Sequence, residues 1–374
     1  MKEINISQVD AIFANGSYPI ELLIYYKTKI KSKNVRSAMK KIALDFWPMF
    51  GEYHAGVIQF DKYSESEHYD ETVINQVFNP DETPAAIFDE YCQSIPSDLK
   101  KLFFLKIIQH RNGTVLIPRL NHLVGDGYSY FYFLSVLAEL SRVNYLPFKT
   151  TLIRGLYKPQ HQRTALKEFK LDNIELESLY VNEKLNIKLE HIPGVRIRKM
   201  IKDITSNLNQ QVSANDILSA MVVQKLVTNQ KDYFKDDCQL TIPINVRRHI
   251  KEYGTKFFGN GIMFSHINLK VNEIEKLETH DLSVKIRKSM PVVTKESYIK
   301  FLGYLETIIA QRQFKKLKPF DPEDGILVTN LVKLPVKKLN FGTGDADFIF
   351  PLTIEKNSAG ILADKENYIL RLAY

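Results

Sequence analysis

Arg119-Leu-Asn-His122-Leu-Val-Gly-Asp126-Gly127 is the stretch whose reading decides the fold. The residues just before it, Thr114-Val-Leu-Ile-Pro-Arg-Leu, are rich in branched side chains and alternate near their end, which predicts a strand. The residues just after it, 128–140, are aromatic and aliphatic at helical spacing and too hydrophobic to be exposed all round. A strand therefore hands over to a buried helix through a short loop with glycines at 125 and 127. His122 sits where the strand ends, a place from which a rigid element can aim an imidazole into a cleft. Taken by itself, His-x-x-x-Asp-Gly is also compatible with a core histidine whose ring is simply hydrogen-bonded.

Working outward, residues 20–27 read as a buried strand and 35–46 as an amphipathic helix closed by Trp47-Pro48. A single strand is expected over 53–60, and the acidic stretch 64–70 is expected to be a loop. Residues 103–108 and 114–123 form apolar runs around Arg111-Asn112-Gly113, a hairpin signal. Strand character falls between 143 and 192, where Pro147, Pro159 and a charged helical stretch mark a connection. Beyond it come an expected strand at 194–201, a helix at 213–229, and strands at 239–244 and 261–271. Helical patterns cover 283–289 and 295–309, and strands return at 326–331 and between 359 and 370. This alternation, without the even spacing of a doubly wound sheet, predicts an α/β protein of mixed sheets in two domains.

Composition sets the broad class. The chain has 374 residues, 44% hydrophobic and 25% charged, as expected of a folded protein long enough for two domains. Cys92 and Cys238, its two cysteines, offer neither a disulfide framework nor a metal-ligand spacing, and imply a reducing, cytoplasmic setting. The first residues carry no apolar core of signal-peptide length, and no run reaches the ~18 apolar residues of a membrane span. Net charge is +8, from 51 basic and 43 acidic residues. The basic residues are dispersed in short clusters such as Lys27-Thr-Lys29-Ile-Lys31-Ser-Lys33, which argues against nucleic-acid binding. A modest basic excess suits instead a nucleotide's phosphates.

A second segment, Leu339-Asn340-Phe341-Gly342-Thr343-Gly344, joins the first. Together they resemble the paired signature of the BAHD acyltransferases, in the chloramphenicol-acetyltransferase-like superfamily: His-x-x-x-Asp-Gly mid-chain and Asp-Phe-Gly-Trp-Gly late. Here Asn340 replaces the acid and Thr343 the tryptophan. Three further stretches agree in order: Ile6-Ser7-Gln-Val-Asp10 with Leu-Ser-x-x-Asp, Ser213-Ala-Asn-Asp-Ile-Leu-Ser219-Ala220 with a family helix start, and Asn245-Val-Arg247-Arg248-His249 followed by Phe257-Phe258-Gly259-Asn260 with Asn-x-Arg-x-Arg and Tyr-Phe-Gly-Asn. The resemblance runs from Ser7 to Pro351 and implies two chloramphenicol-acetyltransferase-like domains with the active site in a channel between them. On that basis residues 1–165 are the N-terminal half, 166–192 a connecting segment and 193–374 the C-terminal half, with about 326–350 exchanged across the interface.

The resemblance also implies the chemistry, transfer of an acyl group from acyl-CoA to a hydroxyl or amine of a small molecule. An un-ionised alcohol attacks poorly, and a neutral imidazole that takes its proton contributes typically about 10²–10⁴-fold. His122 maps onto the family's base, with Asn121 where a second histidine usually stands. Gly-x-Ser-x-Gly is absent, so direct attack in a ternary complex is expected rather than an acyl-enzyme. Asp126 maps onto an aspartate that pairs with an arginine, here Arg247, and holds the loop; Gly127 completes the motif. Thr329 and Asn330 fall where the family places oxyanion donors, although Thr329 reads equally as an ordinary strand threonine and Leu331 replaces the family's tryptophan. Ser213, Arg247, Gly259 and Asn260 are the candidates for holding CoA, Ser213 because a helix N-terminus attracts anions, though plain capping explains it as well. Phe341, Gly342 and Gly344 read as a structural turn. No metal and no permanently bound cofactor are expected, only acyl-CoA as co-substrate, in a cytoplasmic monomer of secondary metabolism. Two other readings stay open: an enzyme fed by an acyl carrier protein, as condensation domains are, and a degenerate non-catalytic member.

Overall fold

The structure is a computed structural model that describes every residue except 15–18, 93, 96–100, 143–184, 231–232, 335 and 337–338. Two mixed sheets and one small antiparallel sheet organise it. The small sheet joins β1 (Lys2–Asn5) to a hairpin of β3 (Glu52–His54) and β4 (Val57–Phe60). Here the single strand expected over 53–60 is corrected. Ala55 and Gly56 take φ of 44° and 93°, and two successive left-handed residues reverse the chain.

A five-stranded sheet follows, with β2 (Pro19–Tyr26), β5 (Tyr69–Val73), β6 (Phe103–His110), β7 (Gly113–Asn121) and β12 (Phe348–Pro351) in the order β12-β2-β7-β6-β5. The acidic stretch expected to be a loop is in fact a short helix, α3 (Glu65–His68), running into β5. Its charged residues face solvent while His68 and Tyr69 are buried, and β5 pairs in parallel with β6. The hairpin between β6 and β7 closes on Arg111 and Asn112, one residue earlier than an Asn-Gly turn would. Gly113 is instead needed by the neighbouring strand, since a Cβ there would stand 2.1 Å from the Tyr26 carbonyl oxygen.

The six-stranded sheet runs β10-β9-β11-β13-β14-β8. Its strands are β8 (Ile187–Ile192), β9 (Asp237–Asn245), β10 (Ile262–Lys270), β11 (Gly325–Asn330), β13 (Ser358–Asp364) and β14 (Asn367–Ala373). The strand expected at 194–201 is a helix, Gly194–Leu208. Val195 is exposed, while Ile197, Met200 and Ile204 are buried, so the helical spacing of the larger side chains prevails over the local Val-x-Ile alternation. The charged helical stretch expected before 185 lies outside the described residues, apart from its last residue.

The cores interleave along the chain. Helix α2 (Ser32–Ile42) and helix α5 (Gly127–Arg142) share one core with Val246, Phe258 and Phe264 from the later half, and with Leu302 and Leu305 of the helix Lys295–Ala310. A second core lies under the six-stranded sheet, and a third, around Tyr25, Phe78, Tyr91 and Phe350, joins the sheets to Ile187 and Ala373. Of the late segment, β11 stays in the six-stranded sheet, and the crossing is made by β12, which pairs antiparallel with β2.

Candidate active site

His122 follows the last residue of β7, and Asp126 immediately precedes α5. Asp126 caps that helix: its Oδ1 accepts from the Ser129 amide at 2.9 Å, and its carbonyl from the Tyr130 amide at 2.9 Å. The same carboxylate meets Arg247 twice, Oδ2 to Nη1 at 2.7 Å and Oδ1 to Nη2 at 3.1 Å, with the two residues 2% and 5% exposed. It also accepts from the Gly261 amide at 2.9 Å. Burial alone would push the Asp126 carboxyl up, but the Arg247 guanidinium and these donors outweigh it and hold the group below the usual carboxylate range.

Arg247 is wholly turned inward. Beyond Asp126 it donates to the carbonyls of Phe257 and Gly259, to Ser129 Oγ and to Asn245 Oδ1, and it lies 4.6 Å from the Tyr128 ring centroid. Arg247 was also a candidate for holding CoA, and its donors are all engaged within the fold. Gly261 leaves room for it: a Cβ there would sit 2.8 Å from the guanidinium carbon.

Gly259 and Asn260 also turn out to belong to the scaffold of the His122 loop. The Gly259 carbonyl accepts from Ser129 Oγ at 2.8 Å, and its amide donates to the same hydroxyl at 3.0 Å. Asn260, 2% exposed, donates from Nδ2 to the His122 carbonyl and to Asp10 Oδ1, both at 2.8 Å. Asp10 is positioned by a capping box with Ser7. Ser129 and Phe13 escape sequence reading altogether. Phe13 stacks on the His122 ring with centroids 3.7 Å apart and planes at 18°. Neither side chain carries a spacing signal, since both act through tertiary contacts.

His122 is partly exposed, yet its Nδ1 is buried without a hydrogen-bond partner, as is Asn260 Oδ1. Burial pushes the imidazole below its ordinary value, against the opposing pull of Asp126, its own carbonyl and Asn260. The ring is thus held neutral, the form a general base requires.

The end of β11 reaches the same loop, for a Cβ on Gly127 would lie 3.8 Å from Leu334 and 3.9 Å from Leu331. Thr329 is half-buried on β11, and among the described residues its hydroxyl has no hydrogen-bond partner. Asn330 is exposed at the end of β11 and is partly engaged. Its amide donates to Asn215 Oδ1 at 2.7 Å and its Oδ1 accepts from the Val332 amide at 2.9 Å. Ser213 caps the helix Ala214–Asn229 in a capping box with Asp216, whose carboxylate already occupies that terminus. In the late motif, Phe341 packs edge-on to Tyr26, and Asn340 Oδ1 accepts from the Gly342 and Gly344 amides at 2.8 and 3.1 Å. Asparagine keeps the acceptor oxygen of the family's aspartate, and the glycines take φ of 103° and 97°. Among the described residues no group of three or more His, Cys, Asp and Glu is arranged to hold a metal, and no helix is long and apolar enough to cross a membrane.

The model of the Transferase family matches residues 71–368, which include His122, Asp126, Arg247, Asn260, Thr329 and the 340–344 turn. The chain belongs to that family, the BAHD-type acyltransferases. Its fold is similar to that of vinorine synthase, with a TM-score of 0.76 at 16% identity, covering 100% of this chain and 90% of that one. It is similar also to F. sporotrichioides TRI101 complexed with coenzyme A and T-2, with a TM-score of 0.75 at 13% identity over 100% and 95% of the two chains. The first condensation domain of the CDA synthetase is similar at a TM-score of 0.60 and 11% identity, over 99% and 90%. No curated protein matches the sequence. This BAHD-type chain is thus an acyltransferase built of mixed α/β sheets.

Proposed function

We propose that the protein transfers an acyl group directly from an acyl-CoA thioester to a hydroxyl or amine of a small molecule, with His122 as general base. The observation that carries this is the His122 loop itself. A neutral, partly exposed imidazole stands at the end of β7, clamped by Phe13, Asn260 and the Asp126–Arg247 pair. A proton on Nδ1 would satisfy both that atom and the neighbouring Asn260 oxygen, leaving Nε2 as the basic nitrogen.

In the proposed reaction Nε2 removes the acceptor's proton as its oxygen or nitrogen attacks the thioester carbonyl carbon. The carbonyl oxygen becomes an oxyanion, for which the Thr329 hydroxyl is the proposed donor. Collapse breaks the carbon–sulfur bond, and the thiolate takes the proton from the imidazolium. Asp126 touches no substrate in this scheme and acts by positioning the loop. The donor lies in a channel between the halves 1–165 and 193–374, its phosphates held by residues other than Arg247, Gly259 and Asn260.

The choice of CoA over an acyl carrier protein rests on the closer fold likeness to TRI101, which is complexed with coenzyme A, than to the condensation domain. Free Cys92 and Cys238 fit a reducing, cytoplasmic setting for a monomer. Mass spectrometry of products from a panel of acyl-CoAs with small alcohols and amines tests the reading. Acceptor-dependent release of CoA with an acylated product is expected. Transfer from an acylated carrier protein but from no acyl-CoA would replace the donor, and no transfer from either would leave a non-catalytic member.

A further inference from the structure

Three residues from distant parts of the chain meet behind the His122 ring: His122 itself, Asn260 of the turn before β10, and Asp10 of helix α1 (Gln8–Ala11). Asp10 is wholly buried and Asn260 is 2% exposed. The Asn260 amide fits in one orientation. Its Nδ2 stands 2.8 Å from Asp10 Oδ1, 2.8 Å from the His122 carbonyl oxygen and 3.4 Å from the Leu123 carbonyl oxygen. An amide oxygen in that place would face three acceptors, so the nitrogen belongs there and Oδ1 points the other way.

Among the described residues Asn260 Oδ1 is buried with no hydrogen-bond partner, and so is His122 Nδ1. Asn260 and the histidine's own carbonyl are the neighbours of the ring that draw a proton to it by hydrogen bonding. Both present acceptors, which only a proton on Nδ1 satisfies. One amide therefore holds the histidine at two points, as donor to its carbonyl and as acceptor facing its ring. Asp10 in turn fixes the amide. Its Oδ1 accepts from Asn260, and its Oδ2 accepts from the Ser7 amide at 2.7 Å, which closes the capping box of α1. A carboxylate accepts through both oxygens, whereas an asparagine of the same shape accepts through one and donates through the other end. The motif aspartate cannot play this part, since the Asp126 carboxylate is engaged by Arg247 and by the Ser129 and Gly261 amides.

We propose, resting on the reading of His122 as the base, that Asp10 is its positioning residue: through Asn260 it keeps the ring in the tautomer protonated at Nδ1, with Nε2 free to take the acceptor's proton. Asp10 touches no substrate. Its charge, like that of Asp126, favours the imidazolium that forms when Nε2 takes that proton. An Asp10→Asn side chain has one acceptor for two donors. It must turn an NH₂ group either toward the Ser7 amide or toward Asn260 Nδ2, and the second arrangement drives the Asn260 amide over and reverses what it offers to Nδ1.

Nitrogen NMR of the full-length protein carrying isotope-labelled histidine tests this, at a pH where the ring is neutral. The His122 signals are those missing from His122→Ala. The wild-type ring is expected to be protonated at Nδ1. Asp10→Asn is expected to move it toward the Nε2-protonated tautomer and to lower kcat by about tenfold or more, with KM for both substrates unchanged. Should Asp10→Asn fail to fold, Asn260→Ala cuts the same relay at its middle and is expected to release the tautomer likewise. A wild-type ring protonated at Nε2, an unchanged tautomer in the variant that folds, or a fall in kcat without a change of tautomer would overturn the proposal. A changed tautomer with full activity would leave the relay standing and remove His122 from the role of base.

Discussion

His122 carries the proposed chemistry through its Nε2, and its environment sets when it can act. Burial lowers its proton affinity, so the neutral ring persists below the ordinary value of 6.5. The acid limb of kcat/KM should accordingly lie below pH 6.5, and a limb at or above that value would contradict the burial argument. His122→Ala should lower kcat by about 10²-fold or more while leaving the melting temperature close to wild type. Asp126 should behave differently. Its removal strands the buried Arg247 charge, at a cost of about 3–5 kcal/mol. Chemical denaturation of Asp126→Ala should therefore show a large loss of stability together with lost activity. A variant as stable as wild type would show that the ion pair does not hold the loop.

At the scale of elements, the loop between β7 and α5 is held by pieces that arrive from far along the chain. The turn 257–261 brings Gly259, Asn260 and the Gly261 amide to it, and β10 leads away at once. Gly261→Ala should push Arg247 out of place, since the new Cβ would overlap its guanidinium, and cost about 1–3 kcal/mol by overpacking. Thermal melts of that variant, set beside Gly303→Ala where the space is open, provide the measure. Ser213 poses a choice between cap and anion site. As a cap, Ser213→Ala should cost about 1 kcal/mol and leave the KM for acyl-CoA unchanged. A raised KM at unchanged stability would return Ser213 to the donor site.

At the scale of the molecule, ionisable side chains are buried where the sheets adjoin. Glu21 on β2 is 3% exposed, and burial pushes its carboxyl up to about 8, because Arg119 at 3.7 Å only partly offsets the desolvation. Glu355 is pushed up to about 7 by burial, with Arg371 nearby. A raised folded-state value means that the native protein keeps a proton the unfolded chain releases. The stability contributed by Glu21 is therefore complete below its ordinary 4.5 and is lost as pH rises toward 8. Glu21→Gln, which imitates the protonated form, should show a smaller fall in melting temperature between pH 5 and 8 than wild type. Parallel curves for the two proteins would mean that Glu21 is ionised in the native state.

The strand–loop–helix around His122 and the glycine turn at 342–344 were legible in the sequence, because each depends on neighbours within a few residues. Arg247 and Asp126 were paired only through family resemblance, since they stand 121 positions apart. That five other groups also surround the Arg247 guanidinium could not be read from the sequence. Local alternation likewise misled at 194–201, where burial of every third or fourth side chain chose the helix. The stacking of Phe13, the hub at Ser129 and the engagement of Asn330 left no trace in any spacing. The sequence alone thus determined the family, the fold class and the segment that carries His122, the proposed base. Tertiary structure alone decided which polar groups remain free for a ligand, because hydrogen-bonding capacity is consumed by partners that only folding brings within 3 Å.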